Sequence, residues 1–106
     1  MSERIETTAI RNLIHNEEYC RKVLPFIKEE YFTDRLEKLL FTEIYKFVNK
    51  YNNLPTKESL SIEMNSNKGV SEDEYKKMNE IISSLNPEPI NLDWLVETTE
   101  VWCKDR

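Results

Sequence analysis

An all-α fold, a compact bundle of about six helices around a long central one, is what this sequence predicts, on three observations. The first is the stretch from Asp34 to about Asn52, where Leu36, Leu40, Ile44, Phe47, Val48 and Tyr51 recur at helical spacing, and Leu39, Phe41 and Tyr45 widen the stripe past half the circumference. A helix that apolar has to be covered on more than one side, which makes it the expected hub. The second is a set of helix boundaries written in capping residues: Asp34 before the hub, Asn16, Thr56 and Ser71 before three other segments. The third is that the remaining apolar residues also fall at helical spacing, with no internal repeat and no low-complexity tract.

The elements follow in order. From Glu3 to Ile14, Ile5, Ala9 and Leu13, with Ile10 and Ile14 beside them, form one face of a first helix that His15 and Asn16 break. Asn16 then caps a short second helix whose first turn holds Glu17 and Glu18, where the helix dipole favours acid. That helix buries Tyr19, Cys20, Val23 and Leu24, and Pro25 ends or kinks it. Phe26, Ile27, Tyr31 and Phe32 make an aromatic connection expected to pack on the hub. Asn52-Asn53 and Leu54-Pro55 stop the hub helix. Thr56 caps a short helix carrying Leu60 and Met64, and 66–70 is a polar loop. Ser71 to Glu74 reads as a capping box opening a helix with Tyr75, Met78, Ile81, Ile82 and Leu85 on one face. The segment Asn86-Pro87-Glu88-Pro89 is a stiff extended linker. The last helix starts near Asn91 or Asp93 and runs to the end.

That last helix has two faces. Leu92, Leu95, Val96, Thr99, Trp102 and Cys103 form the stripe assigned to the core. Trp94 and Val101 lie seven residues apart on the other side with Thr98 between them, and an isolated exposed Trp is common enough to need no partner. The alternative is a second partner, and Trp94, Thr98 and Val101 are the candidate protein-interface residues.

Composition excludes more than it assigns. At 106 residues the chain is one domain able to bury a core without staples. The single glycine, Gly69, rules out a glycine-rich phosphate loop or dinucleotide fingerprint within it. A net charge of −5 disfavours strong direct binding of DNA, though a local basic patch is compatible with it. Cys20 and Cys103 fall on apolar faces and read as reduced, buried residues of a chain in the cytoplasm. No apolar run approaches the ~18 residues of a membrane span, and no signal peptide opens the sequence. His15 has no Ser or Cys partner at a recognisable spacing and reads as a helix-end or interface residue. Of the acidic groups Glu17-Glu18, Glu29-Glu30 and Glu72-Asp73-Glu74, two sit at helix starts, where carboxylates serve capping and the dipole, and no Cys/His cluster or calcium-loop pattern points to a metal. No catalytic, metal or cofactor-binding residue is assigned, and no cofactor is expected within these residues.

The order of residues carries a further likeness. AIRNLI at 9–14, NEEYCRKVLPFIKEEYF at 16–32, LLFTEIYKFVNKYNNLPTKESL at 39–60 and LNPEPINLDWLVETTEVWCKDR at 85–106 together resemble the N-terminal domain of DnaB-like hexameric replicative DNA helicases, with phrases closest to those of T-even-like phages. Asn52-Asn53 stands where that family usually has a glycine, and the 66–70 loop is short. The resemblance implies a globular head over 1–90 and, over 91–106, the start of a helical hairpin cut by the end of the chain. It implies a non-catalytic collar that supports hexamer assembly and docks primase or a loader at the replication fork, in the host cytoplasm if the gene is a phage's. ATP and Mg would belong only to a C-terminal motor beyond Arg106. The reading from another class is a free-standing small acidic helical adaptor or regulatory protein. A small helical enzyme would need a convergent polar constellation, and a helix-turn-helix would need a basic recognition helix, which the apolar 34–52 segment does not supply.

Overall fold

A computed structural model describes residues 4–105. Its elements are α1 (Ile5–His15), α2 (Glu17–Val23), a single 3-10 turn η1 (Glu29–Tyr31), α3 (Arg35–Tyr51), α4 (Lys57–Asn65), α5 (Glu72–Ser84) and α6 (Leu92–Lys104). The all-α bundle expected from periodicity is what forms, with no strand among the described residues. Glu3, where the sequence placed the start of the first helix, and Arg106 lie outside those residues.

The capping residues set the boundaries. Asn16 closes α1 through its backbone N–H to Asn12 O and opens α2 by accepting from Tyr19 N at 3.0 Å. His15 is therefore the last residue of α1 and not its break, and its Nε2 meets the Leu85 carbonyl at the end of α5. Asp34 Oδ1 accepts from the amides of Leu36 and Glu37. Asn52 ends α3 at φ 52°, ψ 39°, the left-handed conformation that glycine and asparagine adopt at helix ends. Thr56 and Ser71 each open a capping box, with Ser59 and Glu74 respectively.

α1 and α3 pack against each other at the centre. α2 and α6 cover the rest of α1, while η1, α4 and α5 pack on α3. The core runs through Ala9, Ile10 and Leu13 of α1, Tyr19 and Val23 of α2, Leu40, Phe41 and Ile44 of α3, Leu60, Met64, Met78 and Ile82, and Leu95 of α6. Phe32 joins the layers, its ring 5.0 Å from Phe41 and 5.1 Å edge-on from Trp102, so the aromatic connection does pack on α3. Several polar groups that enter the interior are paired, whereas the indole Nε1 of Trp102 is buried with no hydrogen-bond partner among the described residues. The Glu37 carboxylate, 4% exposed, accepts from Arg4 Nη2 at 2.6 Å and from Thr7 Oγ1 at 2.7 Å, tying α3 to the start of α1. Arg35 donates to Glu74 at 2.7 Å and to the Gly69 carbonyl at 3.0 Å, locking the start of α3 to the start of α5.

The wide apolar stripe of the central helix is only partly spent. Leu40, Phe41 and Ile44 are buried, but Tyr45 and Tyr51 are 42% and 53% exposed, and Phe47 is half-buried against Tyr51 at 4.7 Å. The expectation of cover around more than half of α3 fails along its C-terminal two turns. There the phenol oxygens let tyrosines reach water while their rings lie on the helix. α1, shorter than α3, shares the centre with it.

Candidate protein interface

α6 is built to hold one face still and leave the other open. Asn91 Oδ1 accepts from Trp94 N at 2.9 Å and starts the helix. On the inner face Leu95 and Thr99 are fully buried and Trp102 nearly so. Thr99 Oγ1 donates to the Leu95 carbonyl at 2.7 Å and lies 2.8 Å from Tyr19 Oη, which ties α6 to α2. Trp102 meets Phe32 and Tyr31 edge-on. Leu92, Val96 and Cys103, assigned to the core from the sequence, are half-buried and border it.

The three residues singled out from the sequence fall together on the outer face. Trp94 is 52% exposed, Val101 is 57% exposed, and Thr98 between them is half-buried. Asp93, Glu97 and Glu100 are exposed beside this stripe, with Lys104 the cation near its end. A Trp left half in water keeps a large apolar area unspent, worth about 25 cal/mol for each Å² that a partner covers. Tryptophan is also among the residues that dominate binding energy where they become buried.

A second open region escaped the sequence reading. Between α2 and α3 runs a groove with two lobes that share Pro25 and Tyr45. One lobe, about 400 Å³, is walled by Cys20, Leu24, Val48 and Leu54 with Glu17 and Arg21 at its rim. The other, about 320 Å³, lies over Ile27, Phe41 and Thr42 with Lys28 and Glu29 at its edge. Tyr45 sits at α3 core spacing, so periodicity alone gives no sign that α2 would stop short of it. The signal available was Pro25, which follows the end of α2 at Val23 and lines the groove beside Tyr45.

Among the described residues no three His, Cys, Asp or Glu side chains converge on a position for a metal ion. Burial pushes the thiols of Cys20 and Cys103 up to about 11, and both are free; Cys20 is buried as expected, whereas Cys103 is only half-buried.

No family model matches the chain. Over 97 residues, 92% of its length, it is 32% identical to a DnaB-like replicative helicase of Enterobacteria phage T4. The likeness to DnaB-like replicative helicases read from the sequence holds. The chain spans 20% of the length of that helicase, so what it resembles is a domain-sized piece. The matched span takes in nearly all the six-helix bundle, so the likeness to the T4 helicase extends across the fold and not to one motif. No helix is long and apolar enough to cross a membrane among the described residues.

Proposed function

We propose that this chain is the N-terminal collar domain of a phage-type replicative DNA helicase, non-catalytic itself, which supports hexamer assembly and docks a primase or loader at the replication fork. The observation that carries the reading is the T4 likeness: most of this chain matches one fifth of a helicase. Two further features support it. The sequence contains one glycine, too few for a phosphate-cradling loop, so ATP and Mg fall to a C-terminal motor. The outer face of α6 offers Trp94, Thr98 and Val101 to water, the kind of surface a second subunit or a return helix covers. On this reading residues 1–90 are the head and 91–106 the first stretch of a helical hairpin. The setting is the host cytoplasm, where the other subunits and the primase are found. Direct strong DNA binding is not this domain's work, given its net charge of −5.

The test compares the intact helicase with one lacking residues 1–106, by sedimentation and by retention of the cognate primase. The reading expects a smaller hexamer fraction and less primase retained after the deletion. Equal assembly and equal retention in both would overturn it.

A further inference from the structure

Leu85 closes α5 fully buried and Leu95 is the first fully buried residue of α6, yet none of the residues 86–94 between them is buried. This stretch crosses from α5, which packs on α3 and α4, to α6, which packs on α1 and α2. It holds Pro87 and Pro89, which have no N–H, and it ends in the first turn of α6 with the exposed Trp94. Core packing therefore fixes α6 from Leu95 onward and does not reach the turn that carries Trp94. Side chains from two other helices grip the start of the crossing instead. Lys57 Nζ, in the first turn of α4, donates to the Ser83 carbonyl at 3.2 Å and to Asn86 Oδ1 at 2.8 Å. His15 Nε2, at the end of α1, faces the Leu85 carbonyl; a carbonyl only accepts, so Nε2 carries the ring proton. Ser83 and Leu85 stand at the end of α5, where carbonyls lack partners within the helix and attract donors and cations. Further on, Arg11 Nη1 approaches the exposed Glu88 carboxylate at 3.9 Å, the loosest of these ties.

We infer that His15 and Lys57 are positioning residues for Trp94: they clamp the chain where it leaves α5, and a stiff crossing carries that restraint to the first turn of α6. The stiffness is local chemistry. Each proline ring fixes its own φ and holds the residue before it, Asn86 or Glu88, extended. A stiff segment fixed at its start delivers its far end to one place. Released at 83–86, the same segment swings as a lever about Leu95. Asn91 moves with it, and Asn91 accepts from the Trp94 amide through Oδ1 at 2.9 Å and from the Leu95 amide through its carbonyl at 3.0 Å. Release of the clamp therefore loosens those two bonds first, while Leu95, Thr99 and Trp102 keep the rest of α6 on the core. Where Trp94 is held is a separate matter from what covers it, so the positioning stands or falls apart from the collar reading.

Hydrogen exchange of the intact protein, read by mass spectrometry over 90–96, over 99–104 and over α3, tests the clamp in Lys57→Met and His15→Ala, singly and together. Lys57→Arg and His15→Gln, which keep a donor at each place, are the conservative variants. The expected result is exchange several-fold faster over 90–96 in the Met and Ala variants, and faster again when the two are combined. Over 99–104 and α3 the rates should stay at the parent's, and the donor-keeping variants should bring 90–96 back toward the parent. Unchanged exchange over 90–96 overturns the positioning role. An equal rise over α3 and 99–104 overturns it too, since His15 and Lys57 would then support the whole core and not the first turn of α6. Failure of both donor-keeping variants to restore the rate overturns the hydrogen bonds as its cause.

Discussion

The Tyr19 hydroxyl donates to Thr99 Oγ1 across 2.8 Å in the middle of the core, and the direction of that bond is fixed by its neighbour. Thr99 has one hydroxyl proton and gives it to the Leu95 carbonyl at 2.7 Å, so Tyr19 must be the donor. Burial holds the Tyr19 phenol far above its ordinary range, which keeps that proton in place. The asymmetry has a consequence for substitution. Tyr19→Phe removes a donor and leaves Thr99 bonded to its own helix, at a cost of about 0.5–1.5 kcal/mol. Thr99→Val strands a buried hydroxyl and should cost about 1–3 kcal/mol. Urea denaturation should therefore rank Thr99→Val below Tyr19→Phe, with the double variant losing less than the sum of the two.

Acid should loosen the join between α3 and α5. Glu74 is held below the ordinary carboxylate range, first by its hydrogen bond from Arg35 and then by the Ser71 amide of the capping box. A depressed folded value means the contribution is fully present above the unfolded value and is lost as pH falls through the folded one. Glu74→Gln should lower the denaturation midpoint at neutral pH, and the gap to the parent should close as pH drops below about 4. Glu43 works the other way: burial raises its carboxyl, so protonation there offsets part of the acid loss. A gap that stays constant from neutral pH into acid would mean the Arg35 contact contributes nothing in solution.

The two cysteines should be poor nucleophiles for different lengths of time. Both thiols are raised to about 11 by burial, which at pH 8 leaves roughly a thousandth as thiolate. Alkylation followed by mass spectrometry should find both slower than a free thiol by roughly two orders of magnitude. Cys103, half-buried on α6, should label before Cys20, which is fully covered and waits for unfolding. Labelling of Cys20 at the rate of a free thiol would show that α2 does not pack as described.

Much of this fold is legible in the sequence because its helix ends are set locally. Asn16, Asp34, Thr56, Ser71 and Asn91 each bond the next turn's amides, and those bonds need nothing from the rest of the chain. The two faces of α6 were legible for a similar reason, since seven-residue spacing puts Trp94 and Val101 on one stripe and Leu95 and Trp102 on another, about 100° round the helix. What periodicity does not carry is which neighbour arrives. Tyr45 and Tyr51 sit at core spacing on α3, and they stay exposed because α2 ends at Val23 and α4 leaves the C-terminal end of α3 uncovered. The clasp of Glu37 with Arg4 and Thr7 spans thirty residues or more and has no local signature at all. Nor has the groove, which exists only in the space between two helices.

The measurement closest to the central claim is the mass distribution of the intact helicase carrying Trp94→Ser and Val101→Ser together. Both side chains are more than half exposed, so the helical signal and unfolding midpoint of the domain should stay within error of the parent. The collar reading predicts that hexamers give way to smaller species at concentrations where the parent is fully assembled. Hexamers of undiminished stability would contradict it, and would leave this face of α6 as surface without a partner.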